Sequence, residues 1–141
     1  MSKIKALVED YQRKLLKALK HLEYSYQKIQ LLPTDVDQLD EESLETWESF
    51  SARFARVSDL FLTKYVRAKV LENDPGFEGS LRDFVNQGEK LGFLDDADLW
   101  MDIRELRNIS AHEYTEADLA QYFKQIKSHA HRVLLIQQKI K

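Results

Sequence analysis

Residues 41–72 read EESLETWESFSARFARVSDLFLTKYVRAKVLE and carry the strongest helical pattern of the chain. Their large apolar side chains recur at steps of three and four: Leu44, Trp47, Phe50, Phe54, Val57, Phe61 and Tyr65. That spacing places them on one face of a helix with a charged opposite face. Asp40, just before the segment, is a residue type that caps helix N-termini. The pattern predicts a long amphipathic helix whose aromatic side chains pack in the core rather than stack on bases.

The same periodicity extends towards the N-terminus, over residues 3–31. The apolar positions there are Ile4, Val8, Tyr11, Leu15, Leu19, Leu22, Tyr26 and Ile29. Pro33 separates this predicted helix from the next one. No segment of the chain alternates apolar and polar residues with period two, so the sequence predicts no β-strand.

Two further helices are predicted after the second long one, and only the first of them is short. The first begins at Ser80, where Asp83 would complete a capping box, and ends before Gly92, a common residue after a helix C-terminus. The second begins near Asp95. Its apolar face consists of Leu99, Ile103 and Leu106.

A last helix is predicted to begin after Thr115, where Asp118 would form another capping box, and to continue to about Lys139. The fold class that follows is all-α. We expect an up-and-down bundle of four long helices and one short helix, forming a single domain over residues 1–141.

Composition restricts the possible functions. The 141 residues include no cysteine, which excludes disulfides and thiolate metal sites. The charged N-terminus does not resemble a signal peptide, and no run of about 18 apolar residues could cross a membrane. We therefore expect a cytoplasmic protein without a membrane partner.

Charge is unevenly distributed along the chain, although the net charge is only −3. Residues 34–48 contain seven acidic residues and no basic one. Residues 119–141 contain five basic residues, His129 and His131, and no acidic one. Such an uneven distribution of charge is compatible with a basic groove on an acidic protein, or simply with two solvated helix faces.

Arg104 and Arg107 fall on one face of the predicted fourth helix, since they are three residues apart. No acidic residue stands three or four positions from either of them. Two adjacent guanidinium groups need an anion between them. A phosphate would serve, and so would a carboxylate from the second helix.

His112 follows Arg107 by five residues, close to the predicted end of that helix. An imidazole titrates near neutrality and can exchange protons in metal-independent RNA cleavage. Ser110 and Asn108 would add neutral hydrogen-bond donors. The alternative for a single histidine is a hydrogen-bonded structural role.

Tyr114 precedes the predicted cap Thr115 and could pack on Leu119 as a hydrophobic staple, or expose a hydroxyl that can be modified.

His129 and His131 are two residues apart and point to different sides of a helix, so we predict no metal site. No phosphate-binding glycine loop occurs, and we expect no cofactor.

The segment Arg107-Asn108-Ile109-Ser110-Ala111-His112-Glu113-Tyr114 resembles the signature of HEPN domains, most closely the HepT branch, with Arg, four residues, His, one residue and Tyr. The resemblance implies an endoribonuclease toxin of a toxin–antitoxin pair. It implies a homodimer in which two motifs form one RNA-cleaving cleft, with Arg107 holding the phosphate and His112 as the acid–base catalyst. Arg104, Asn108 and Ser110 would support phosphate binding.

The same resemblance implies a partner, a nucleotidyltransferase antitoxin that adenylylates Tyr114 and can join the homodimer in a larger complex. Two other functions fit the same residues. The chain could be a non-catalytic subunit that presents a substrate or nucleotide to a nucleotidyltransferase. It could also be a helical interaction domain in which Arg104 and Arg107 pair with acids of the second helix.

Overall fold

The structure, a computed structural model, describes residues 3–106 and 115–140, and within these ranges it contains helices and no strand. The helices are α1 (Lys3–Ile29), α2 (Glu41–Asp59), a π-helical segment (Leu60–Val66), α3 (Arg67–Asn73), α4 (Leu81–Lys90), α5 (Ala97–Leu106), α6 (Glu116–Leu134) and α7 (Ile136–Lys139). A single 3₁₀ turn covers Val36–Gln38. The predicted all-α bundle is confirmed.

Local sequence signals determine where the helices start. The Asp40 carboxylate accepts a hydrogen bond from the Ser43 amide at 2.8 Å, as expected for the cap of α2. Ser80 and Asp83 form the predicted capping box of α4. Thr115 caps α6 by accepting a hydrogen bond from the Asp118 amide at 3.1 Å. These three N-termini therefore begin where the sequence predicts.

The end of α4 is determined by Gly92, which has a φ of 82°. The Phe93 amide donates to the Gly88 carbonyl at 2.9 Å, and the Gly92 amide donates to the Glu89 carbonyl at 3.1 Å. This pair of bonds is a Schellman motif, which requires a left-handed residue at the position of Gly92. The motif turns the chain towards α5.

The predicted second helix runs continuously over residues 41–73 but contains the π-helical segment. Four of the seven residues in that segment are buried: Phe61, Leu62, Tyr65 and Val66. The segment packs against α1 and also against α4. These two adjacent pairs, four residues apart, share one face of the helix, as in an ordinary apolar stripe.

The core runs the length of the bundle and is rich in stacked rings. Trp47 stacks on Phe123 of α6 with ring centroids 4.7 Å apart, and its indole N–H donates to the Pro33 carbonyl at 3.0 Å. Phe61 packs on Trp100 of α5 at 4.8 Å. The aromatic side chains of the second helix are buried, as predicted.

Three helix boundaries differ from the prediction. Helix α1 ends at Ile29 rather than at residue 31. Helix α5 begins at Ala97, because Asp96 rather than Asp95 caps it by accepting from the Leu99 amide at 3.2 Å. The last helix is interrupted at Leu135, which leaves α7 as a single turn. No helix in the described ranges is long and apolar enough to cross a membrane.

Candidate functional site

The Arg-x4-His-x-Tyr motif connects two described helices. Helix α5 ends at Leu106, and α6 begins at Glu116 after its cap Thr115. The motif residues Arg107, Asn108, Ser110, His112 and Tyr114 lie outside the described residues. Their relative geometry therefore stays a prediction, as does the hydrophobic staple between Tyr114 and Leu119.

Arg104 is a predicted site residue that the structure does describe. It lies in the last turn of α5 and is half-buried. Its Nε atom is buried and makes no hydrogen bond to the described part of the chain. Within residues 3–106 and 115–140, no acidic side chain forms an ion pair with Arg104. Pairing of Arg104 with the acids of the second helix is therefore not found.

The position of Arg104 depends on how α5 is anchored. One turn earlier, Trp100 packs against Phe61 of the π-helical segment. Ile103 is also buried. At the start of the helix, the Ala97 amide donates to the Glu89 carboxylate at 2.7 Å. Phe61 of the π-helical segment thus contacts the helix that leads into the motif.

A cavity of about 200 Å³ opens near the N-terminal half of α5, with Phe61 and Trp100 in its lining. Its charged rim combines one carboxylate with two basic side chains. The Asp95 carboxylate lies 3.2 Å from an Arg132 nitrogen and 3.8 Å from Lys139 Nζ. These contacts pair Arg132 and Lys139, two of the five basic residues in residues 119–141, with a single carboxylate.

His129 and His131 occupy different environments on α6. His129 is half-buried, and burial together with the nearby Arg132 lowers its pKa, although Asp102 acts in the opposite direction. His131 is exposed. Within the described ranges, no group of three or more metal-ligating side chains could hold a metal ion.

The acidic stretch meets the start of α6. The 3₁₀ turn packs against α6, and the Asp37 carboxyl hydrogen-bonds to the Glu116 carboxyl. This contact and the charges of Asp37 and Asp35 raise the pKa of Glu116. Glu116 directly follows the cap Thr115, so this acidic contact lies beside the C-terminal end of the motif segment.

Comparison of the chain with protein-family models, with curated proteins and with solved structures finds no match in any of the three. The resemblance to HEPN domains therefore depends on the sequence motif and its place between two helices.

Proposed function

We propose that this protein is a metal-independent endoribonuclease toxin whose cognate antitoxin is a nucleotidyltransferase. The observation that carries the proposal is the motif Arg107-x4-His112-x-Tyr114 at the junction of two helices of an all-α bundle. Arg104 supports it, because this half-buried guanidinium has no acidic partner within the described ranges. A bound phosphate would provide the missing anion.

In the proposed reaction, a histidine accepts the proton of the RNA 2′-hydroxyl while its oxygen attacks the adjacent phosphorus. The bond from phosphorus to the 5′-oxygen breaks, and that oxygen takes a proton from a second histidine. The products are a 2′,3′-cyclic phosphate and a 5′-hydroxyl. A symmetric dimer would supply one His112 as base and the other as acid. Arg107, with Arg104, Asn108 and Ser110, would stabilise the phosphate charge.

The antitoxin would act on Tyr114. The Tyr114 hydroxyl would attack the α-phosphate of ATP and release pyrophosphate, so that an adenylyl group remains on the tyrosine. Because Tyr114 is two residues from His112, the added phosphate and nucleoside would occupy the space that the RNA needs. The modification also introduces negative charge beside the arginines.

The test is paired expression, without any partner, of the wild-type chain and the Arg107→Ala/His112→Ala variant, with growth and total RNA followed over time. We expect growth arrest and RNA decay with the wild type only. Purified wild-type protein should also cleave RNA in excess EDTA, leaving cyclic-phosphate ends. The His112→Ala variant alone should lose at least about 100-fold in rate.

Equal RNA cleavage by the His112→Ala protein would disprove the mechanism. Normal growth with both soluble, folded proteins would favour the alternative function, a non-catalytic subunit that presents a substrate or nucleotide to a nucleotidyltransferase.

A further inference from the structure

A row of basic side chains lies along the exposed side of the α1/α2 pair. The basic strip consists of Lys14, Lys17, His21 and Lys28 of α1 with Arg53 and Arg56 of α2. It lines two depressions, of about 430 Å³ at one end and about 110 Å³ at the other. We propose that the basic strip binds single-stranded RNA, with Tyr24 as a platform on which a base stacks.

The α1 part of the strip is continuous because its residues are regularly spaced. Positions 14, 17, 21, 24 and 28 alternate steps of three and four and therefore share one face of the helix. At a rise of about 1.5 Å per residue, this face extends over about 21 Å. That length accommodates a strand of several nucleotides.

Most of the charge in the strip is not neutralised by the protein. Lys14 pairs with Asp10 at 2.9 Å, and Glu45 lies in the lining of the smaller depression. Lys17, Lys28 and Arg56 form no ion pair with any side chain in residues 3–106 or 115–140. Like charges three or four residues apart on a helix repel each other. On a chain with a net charge of −3, this concentration of cations points to an anionic ligand.

Arg53 is fixed at the centre of the strip. Its Nη1 donates to the buried Ser25 hydroxyl at 2.7 Å and to the His21 carbonyl at 3.0 Å. Neither partner is charged, so the guanidinium keeps its full positive charge. An arginine already held in place loses less conformational entropy when a phosphate binds.

Tyr24 favours a nucleic acid over other polyanions. The residue is 60% exposed although it is a large aromatic one. Lys28 Nζ lies 5.4 Å and Arg53 Cζ 6.0 Å from the ring centroid, so the ring stands among cations. Cationic grooves with exposed aromatic rings bind single strands, because phosphates contact the cations while bases stack on the rings. The choice of RNA over single-stranded DNA depends on the proposed ribonuclease function.

The experiment measures fluorescence anisotropy of a labelled, unstructured 12-nucleotide RNA. The reference protein is His112→Ala, so that the strand is not cut. Adding Lys17→Gln/Arg56→Gln should weaken binding at least tenfold and reduce the slope of log K against log salt by about 1.4. Both positions are exposed, so folding should be retained, and a thermal melt checks this. The control Lys90→Gln/Lys124→Gln makes the same charge change at two exposed positions outside the strip and should bind like the reference.

Tyr24 is tested with a matched pair of variants. Tyr24→Ala should weaken binding about tenfold, whereas Tyr24→Phe retains the ring and should bind like the reference. Unchanged binding by Lys17→Gln/Arg56→Gln, or by Tyr24→Ala, would overturn the proposal. An equal loss in the Lys90/Lys124 control would also overturn it, because net charge alone would then explain the affinity.

A second copy of the chain is the competing occupant, since residues 34–48 are strongly acidic. If the reference protein binds no RNA but shows salt-sensitive self-association that Lys17→Gln/Arg56→Gln abolishes, the strip is a protein interface and the proposal is wrong. If the wild type binds RNA through the strip but does not cleave it, the proposed ribonuclease function is wrong and the strip proposal stands. If the wild type cleaves RNA but the strip variants bind RNA as the reference does, the strip proposal is wrong and the ribonuclease function stands.

Discussion

Glu116 and Asp37 form a contact between two acidic residues at the start of α6. Both are exposed, and their shared hydrogen bond raises the pKa of Glu116. A raised pKa in the folded state means that the folded protein holds this proton more tightly than the unfolded chain does. The contact therefore favours folding at low pH, and this contribution is lost as pH rises through the folded-state pKa.

Substituting Glu116→Gln should reduce this pH dependence. The amide can still donate a hydrogen bond to Asp37, but it cannot ionise and repel it. We expect the melting temperature of Glu116→Gln minus that of the wild type to be larger at pH 7 than at pH 4. Melting curves by circular dichroism across that range provide the measurement.

Glu48→Gln is the matched control, because Glu48 is an exposed acid of α2. Its melting temperature should differ from that of the wild type by a similar amount at both pH values. If the melting temperature of Glu116→Gln differs from that of the wild type by the same amount at both pH values, the contact with Asp37 has no energetic effect.

The packing of α4 on the π-helical segment depends on Gly88. A Cβ at this position would lie 2.7 Å from Val66 Cγ1 and 2.9 Å from Leu94 Cδ2, closer than side chains normally approach. Val66 and Leu94 are both buried, so neither can move away freely. The absence of a side chain at Gly88 therefore allows the two helices to approach each other.

We expect Gly88→Ala to destabilise the protein by about 1 kcal/mol. Alanine gains about 1 kcal/mol in helix propensity, but overpacking in a core costs about 1–3 kcal/mol. Urea unfolding measures the difference. Gly76→Ala is the control, since the nearest atom to its Cβ would be Asp74 Oδ1 at 3.7 Å, and its stability should remain near that of the wild type. Equal or greater stability of Gly88→Ala would mean that α4 shifts to relieve the contact.

Among the helices, a sequence pattern predicts those features that neighbouring residues in the chain determine. Caps such as Asp40 and Ser80 act within three residues, so their effect is visible locally. The π-helical segment is different, because its extra turn width is stabilised by α1 and α4, which are distant in sequence. The shift of the α5 cap from Asp95 to Asp96 also depends on packing, since the Asp95 carboxylate contacts Arg132 instead.

The sequence likewise predicts only the part of the functional surface that lies within one helix. The sequence singles out Arg104 because no acidic residue stands three or four positions away, and in the described ranges Arg104 has no acidic partner. The basic strip was missed, although the spacing of Lys14, Lys17 and His21 on α1 was visible. Its second half, Arg53 and Arg56, joins it only because α2 packs antiparallel to α1.

At the scale of the whole molecule, the two tryptophans report on different parts of one core. Trp47 stacks on Phe123 in the first half of α6, whereas Trp100 packs on Phe61 and lines the cavity near Arg132. Both are almost completely buried. The long helix over residues 41–73 contributes to both environments, so we expect them to be coupled.

This coupling predicts that the chain unfolds as one cooperative unit. In Trp100→Phe the fluorescence reports on Trp47, and in Trp47→Phe it reports on Trp100. Within each variant, the fluorescence transition should coincide with the loss of helical circular dichroism, although the two variants will differ in midpoint. Calorimetry of the wild type should give an unfolding enthalpy of about 100 kcal/mol, equal to the van't Hoff value. A fluorescence transition that precedes the helix signal in only one variant would reveal two units, and residues 1–141 would then not be a single domain.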